Sequence, residues 1–494
     1  MTVAALLLGL VAFIAVLRVG RAKDIASDVI GTTQTAMSVM ADGDLADDEK
    51  ETRVRHASLS LLASFFKIAA IAVAALVTSG ALVWGGSVLG LYALDRAVDI
   101  AMGWPFILGS SAAAVALWLL LDRLNPVDDA GHDDVPYGPL DKALHDFAFA
   151  SLDRQKRLGD LETRLFRHRI DAAHAARPVF ITSLPRAGTT IMLEMLADLP
   201  DFASATYRHM PFTLSPLLWG GFSGRFRKAG EKAERAHGDG IEVGFDSPEA
   251  FEEMLWMAFW SDHYGTAQIR PWTPDERVAE FETFFRTHMA KIVATKPGAT
   301  RYLSKNNANI ARLGLLARIF PDASIVLPIR NPRAQVRSLL RQHRRFADLH
   351  GREPFARRYM EGIGHLEFGG ALRPIAFGGA APDVAEAGDV AFWLRYWIAA
   401  YEHVLAQAGP AAIFVDHDAL SAAPDEHLPM LAERIGLPDR RALDASAGIF
   451  RAPRPAPTLP NAPPALLDQA DALHAALLRR CHVPTSNRRS ETLV

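Results

Sequence analysis

The sequence predicts an α/β domain, a P-loop-like parallel sheet flanked by helices, preceded by an N-terminal transmembrane helical region. Three observations predict it. Long uncharged runs fill the first quarter of the chain. Strand and helix patterns alternate from Arg177 onward. The first of those strands passes through a glycine-bearing turn straight into a helix. Such alternation covers both sheet faces with helices and favours parallel strands.

Composition sets the outer bounds. A chain of 494 residues has room for two or three units. Hydrophobic residues make up 50%, and the mean hydropathy is slightly positive. That balance suits a chain part membrane and part soluble. The formal net charge of -3 gives no reason to expect a nucleic-acid partner. A single cysteine, Cys481, rules out an internal disulfide and a multi-cysteine metal site, and it fits a reducing compartment.

Residues 1–124 are expected to form the membrane region. Residues 1–17, 68–94 and 100–121 carry no charged side chain, and each is a candidate span. The first is short, since about 20 residues cross the hydrocarbon core. It lacks a basic leader and a clear cleavage site, which favours an anchor over a signal peptide. Arg18, Arg21, Lys23, Lys50, Arg53, Arg55 and Lys67 lie between the first and second runs, whereas the next turn carries only Asp95, Arg96 and Asp99. The positive-inside rule puts the 18–67 loop in the cytoplasm, and a multi-pass chain then leaves its C-terminal domain facing the cytoplasm too.

Residues 125–176 read as a linker followed by a charged surface helix within 141–170. The domain proper is expected over 177–450. Its first unit, PVFITSLPRAGTTIMLEML, gives a strand at 178–182, a turn at 183–188 and a helix at 189–199. A glycine loop that opens a helix offers backbone N–H groups and the positive dipole end to an anion. Arg186 can add a cation, and Thr189 and Thr190 can add hydroxyls. The Walker pattern GxxxxGK[ST] is absent. An ordinary strand-to-helix turn stays open for this segment alone.

The second unit gives a strand at 301–304 ending in Lys305-Asn306-Asn307, a helix at 308–320 and a strand at 324–329. That strand ends in Arg330-Asn331-Pro332, with a proline in the first turn of the next helix. Ligands of open α/β sheets sit at the carboxyl ends of strands. Lys305 and Arg330 both stand there. Residues 451–494 read as a C-terminal loop and helix, extended over 453–464 and then a final amphipathic helix over 465–480.

Together these segments resemble the sulfotransferase family. LPRAGTT resembles its 5'-phosphosulfate loop in the PRxGTT form of bacterial and tyrosylprotein members, where cytosolic members usually have Lys at the position of Arg186. IRNPRAQVRSLL resembles the 3'-phosphate motif, with Arg330 at a strand end and Ser338 in the helix after it. Lys305 stands where the family has a catalytic lysine. AAIFVDHDALSAAP, with a helix near 426–435, resembles the last core strand and helix. The likeness spans about residues 177–437.

The resemblance implies a sulfotransferase that uses 3'-phosphoadenosine 5'-phosphosulfate as co-substrate and needs no metal. Arg186, Ala187, Gly188, Thr189 and Thr190 would hold the phosphosulfate. Arg330 and Ser338 would hold the 3'-phosphate, and Lys305 would stabilise the leaving oxygen. Arg451 and Arg454 could also reach the 3'-phosphate. The chain departs from the family at the base. Asn307 stands where many cytosolic members have His, and no carboxylate lies within 206–209, where tyrosylprotein members have Glu. His209 is therefore the candidate base, since imidazole titrates near neutral pH. Asp246, Glu249, Glu252 and Glu253 are the reserve. Residues 206–219, Trp256, Phe259 and Trp260 either line the acceptor side or pack the core.

Two other readings stay open. A P-loop kinase would need a Walker lysine and a strand-end acid, for which only Asp416 offers itself. A membrane adaptor that only binds nucleotide is the other. For the enzyme, anchoring near a bilayer favours a hydroxyl acceptor such as a lipid-linked sugar or glycolipid.

Overall fold

In the computed structural model, the described residues are 2–20, 47–104, 106, 109–110, 145–146, 148–223, 233–234, 242–243, 247–379 and 381–481. They fall into two compact units, Met1–Pro139 and Leu140–Val494.

The first unit holds helices Thr2–Val19, Asp47–Val88 and Leu94–Met102. The first two run antiparallel and close together. A methyl group added at Gly9 would stand 3.0 Å from Ser79 Oγ, and one at Gly20 would stand 2.8 Å from Ile71 Cγ2. Within the long helix, Ala69–Val88 is the one described stretch long and apolar enough to cross a membrane. Leu76, Val77 and Trp84 are exposed on it. Ala5–Val19 is apolar but shorter.

Three spans were expected, and one described helix meets the length. The 68–94 run does not stay helical to its end. Gly90 takes a φ of +73°, the left-handed conformation that closes helices, and Tyr92 turns its hydroxyl back onto Val83 O at 2.6 Å. Most of the 100–121 run and the whole 125–139 linker lie outside the described residues.

The second unit is built on strands β1 (Val179–Ile181), β2 (Phe202–Ala203), β3 (Ala233–Glu234), β4 (Glu242–Val243), β5 (Arg301–Lys305), β6 (Ser324–Ile329) and β7 (Ala412–Asp416). Five of them form one sheet in the order β2-β5-β1-β6-β7. Every pairing in it is parallel. β3 and β4 form a separate antiparallel pair. The chain leaves central β1 toward β2 and β5 on one side and later reaches β6 and β7 on the other. The loops after β1, β5 and β6 therefore gather at one edge of the sheet, the place where such sheets take ligands.

Side-chain alternation along β1 divides the core. Val179 and Ile181 join Met192, Leu196, Leu303, Val326 and Ile413 on one face. Phe180 turns to the other, among Phe285, Tyr302 and Phe320, with ring centroids 5.5 to 6.1 Å from its own. The helices start where their caps lie. Asn331 Oδ1 accepts from the N–H groups of Arg333 and Ala334, and Pro332 fills the first helical position of Pro332–Arg352.

The expected surface helix is Leu152–Leu165, capped by Ser151, and one face of it is buried. Glu162 is 0% exposed and pairs with Lys291 Nζ at 3.2 Å. Burial raises the Glu162 carboxyl above its ordinary range and lowers the Lys291 ammonium. Dense charge in the sequence gave the appearance of a fully solvated helix, but one of those charges is the partner of a core lysine.

Candidate functional site

The loop after β1 reverses the chain in two left-handed steps. Arg186 takes a φ of +70° and Gly188 one of +96°. Gly188 then caps helix Thr189–Ala197. The first N–H groups of a helix have no acceptor within it, so this end presents donors and a positive dipole.

Side chains brace the loop from below. Ser183 Oγ donates to Pro328 O at 2.9 Å and meets the Tyr401 hydroxyl at 2.7 Å. Gln335 Nε2 donates to the carbonyls of Leu184 and Pro185 at 3.1 and 3.0 Å. Its Oε1 in turn accepts from Trp397 Nε1 at 2.9 Å. Gln335 lies inside the IRNPRAQVRSLL motif, yet nothing in the sequence marks it as the loop's support.

The structure brings three of the predicted residues into direct contact. Arg330 Nη1 donates to Arg186 O at 2.8 Å. Arg186 Nε donates to Ser338 Oγ at 3.1 Å. Ser338 is buried, and Arg330 and Arg186 are half-buried. Burial lowers the Arg330 guanidinium pKa, while Asp418 opposes that by favouring the charge. Asp418 also accepts the Asn331 N–H at 2.8 Å. His417 packs on the loop, so a methyl group at Gly188 would stand 2.5 Å from its ring. Burial, and then the charge of Arg330, lowers this imidazole to about 4, so it is neutral at pH 7.

Lys305 lies across from Ile181 at the end of β5 and is buried. Asn306 is bonded within the protein: its Oδ1 accepts the Ala308 N–H and its Nδ2 donates to Glu253 Oε2 at 2.7 Å. Asn307 faces the loop. Its Oδ1 accepts from Thr189 Oγ1 at 3.2 Å, and its Nδ2 donates to Glu367 Oε1 at 3.2 Å. Ala187 is fully buried, and Thr190 belongs to the first turn of the helix.

The predicted base is placed elsewhere. His209 closes a 3-10 turn, is 2% exposed, and uses Nδ1 to accept the Thr206 N–H at 3.0 Å. A neutral imidazole has one basic nitrogen. Here that nitrogen is engaged in a local cap. The reserve acids are engaged as well. Glu249 accepts from Tyr207 Oη at 2.7 Å. Glu252 takes Asn309 Nδ2 at 2.8 Å and Trp256 Nε1 at 3.1 Å. Glu253 forms a buried ion pair with Arg312. Asp246 lies outside the described residues.

Several residues read as either acceptor lining or core are core. Trp256 is fully buried beneath the Arg312 guanidinium, 3.9 Å from its ring centroid, and it packs on Phe281 at 4.5 Å. Trp260 and Phe259 pack on the same Phe281 ring. In the 206–219 stretch, Leu218 N donates to Glu162 Oε1 at 2.7 Å, which pins it to the Leu152–Leu165 helix. Arg451 and Arg454 stand exposed, with no bond to the loop among the described residues. Asp416, the acid a kinase would need, caps helix His417–Ala422 through the N–H groups of Asp418 and Ala419, both at 3.0 Å.

What assembles at this edge is a braced loop and a helix N-terminus, with Arg186 and Arg330 in contact and Lys305 at the end of neighbouring β5. Such an arrangement suits a ligand with more than one anionic group.

No curated protein matches the chain. Among solved structures it is similar to a sulfotransferase from Mycobacterium avium, at 13% identity and a TM-score of 0.40, over 74% of this chain and 95% of that one. It is also similar to a sulfotransferase from Mycobacterium tuberculosis H37Rv, at 14% identity and a TM-score of 0.36, over 73% of this chain and 91% of that one. Residues 178–364, which hold the loop, Lys305, Arg330 and Ser338, match the model of the sulfotransferase family. The likeness of the chain to the sulfotransferase family thus rests on this segment.

Proposed function

We propose that this chain transfers a sulfuryl group from 3'-phosphoadenosine 5'-phosphosulfate to a hydroxyl acceptor. The observation that carries the reading is the contact of Arg186 with both Arg330 and Ser338. Two motifs far apart in sequence, one fit for a 5'-phosphosulfate and one for a 3'-phosphate, make a single braced unit.

The donor supplies an activated sulfuryl group. Arg186, Gly188, Thr189 and Thr190 hold its phosphosulfate end with the backbone around Ala187. Arg330 and Ser338 hold the 3'-phosphate. Lys305, at the end of β5, sets a cation where negative charge develops on the leaving oxygen. A single well-placed donor of this kind is worth about 100- to 1000-fold in rate. Lys305→Ala should lose turnover by that order while keeping affinity for 3'-phosphoadenosine 5'-phosphate. Full turnover in that variant would remove Lys305 from the mechanism.

The apolar stretch Ala69–Val88 supports attachment to a membrane. The proposed arrangement puts the α/β unit on the cytoplasmic face, where it meets acceptors carried by lipid. Anchoring raises the local concentration of such acceptors. Flotation of the full chain with lipid vesicles tests this, and recovery at the bottom of the gradient would contradict it.

A further inference from the structure

Beside the loop lies a cleft whose wall includes Leu184 and Pro185 of the loop itself, together with Asn307, Glu367 and Arg373. The rest is largely apolar, with Ile269, Ile310, Leu366, Leu372, Ile375 and Trp393. Asn307 stands between cleft and loop. The same amide accepts from the Thr189 hydroxyl and donates to Glu367 Oε1, each at 3.2 Å. A carboxylate in the cleft is thereby tied to the first residue of the helix that follows the loop.

Glu367 differs from the other acids nearby. Glu253 is neutralised by Arg312, and Glu252 accepts from Asn309 and Trp256. No ion pair ties Glu367 to Arg373 or to another cation among the described residues. With Oε1 held by Asn307, the carboxylate is oriented and able to accept a proton.

We propose that this cleft seats the acceptor and that Glu367 takes the proton of its hydroxyl, an inference that rests on the sulfuryl-transfer reading. The acceptor oxygen forms a bond to sulfur as the sulfur–oxygen bond to the donor phosphate breaks. The electron pair of that bond stays on the phosphate of departing 3'-phosphoadenosine 5'-phosphate. The hydroxyl proton passes to the Glu367 carboxylate. Asn307 does not itself take a proton. It positions the residue that does. Apart from Asn307, Glu367, Arg373 and Tyr396 the walls are apolar, so most hydroxyls of a sugar would be buried unpaired, which is costly. The acceptor is therefore an alcohol or phenol on an apolar body.

The test uses the purified full chain, radiolabelled 3'-phosphoadenosine 5'-phosphosulfate and three acceptors: 2-naphthol, 4-nitrophenol and glucose. Transfer to 2-naphthol and none to glucose is expected. Glu367→Gln should lower kcat on 2-naphthol by about 100-fold or more. It should lower kcat far less on 4-nitrophenol, which ionises readily without help. Affinity for 3'-phosphoadenosine 5'-phosphate should not change. Equal losses on both phenols, unchanged turnover, or a weakened bisphosphate would sink the role of Glu367. Transfer to glucose alone, or to none of the three while the bisphosphate binds, would sink the acceptor class. Failure of the unsubstituted chain to bind the bisphosphate would remove the donor reading and this inference with it.

Discussion

Arg186 Nε donates to Ser338 Oγ across 3.1 Å, although the two residues stand 152 apart in sequence. The first belongs to the loop after β1 and the second to the helix after β6. β1 and β6 are neighbours in the sheet, so their following segments rise side by side. Arg330 completes the link through the Arg186 carbonyl. A change at any of the three is therefore felt at the other two.

Arg330→Ala should weaken 3'-phosphoadenosine 5'-phosphate more than adenosine 5'-phosphosulfate, which lacks the 3'-phosphate. A hydrogen bond to a charged group is worth about 1.5–3 kcal/mol, or about 10- to 150-fold in affinity. Both ligands should lose something, because the variant also releases the Arg186 carbonyl. Equal losses, measured by calorimetry, would count against Arg330 as the reader of the 3'-phosphate.

Gly188→Ala should damage the loop twice over. The new methyl meets His417, and the residue must hold a φ of +96°. The left-handed region costs a non-glycine residue about 1–2 kcal/mol. Affinity for the bisphosphate should fall about tenfold or more. Adding His417→Ala should restore part of that loss by opening space, but not the part due to the backbone. Full affinity in Gly188→Ala alone would contradict the described loop.

His209→Ala should cost stability rather than turnover. Its ring caps the Thr206 N–H, and a lost cap costs about 0.5–2 kcal/mol. Denaturant melting should show the loss, while kcat per folded molecule stays level. A large fall in kcat at full stability would return His209 to the role of base.

Acid should destabilise the α/β unit through buried imidazoles. Burial lowers His288 from 6.5 to about 3 and His417 from 6.5 to about 4. Both are neutral in the folded state over a range where the unfolded chain takes up protons. Stability is then fully present above pH 6.5 and falls as pH drops through the window toward 4. His288→Leu should flatten that fall. A variant with the same slope as the parent would show that the loss comes from other groups.

Much of the candidate site was legible because it is written in contiguous segments. The strand, turn and helix of 178–199 carry the loop, and a strand end followed by a helix carries Arg330 and Ser338. Lys305 was legible for the same reason. What the sequence concealed depends on contacts between distant segments. Glu367 sits in no motif and acquires meaning only from Asn307. Glu162 reads as a surface charge until Lys291 is seen beside it. Trp256 and Trp260 read as either a binding wall or core, and the Arg312 and Phe281 packing makes them core. The long apolar run read as reaching residue 94, whereas Gly90 ends it earlier by a backbone turn that hydropathy does not register.

The proposed function stands on a bisphosphate site built from Arg186, Arg330 and Ser338. Calorimetric titration of the purified full chain with 3'-phosphoadenosine 5'-phosphate, and separately with ATP and magnesium, tests it most directly. Micromolar binding of the bisphosphate and none of ATP is expected. Binding of ATP alone would contradict it and put a kinase-like activity in its place.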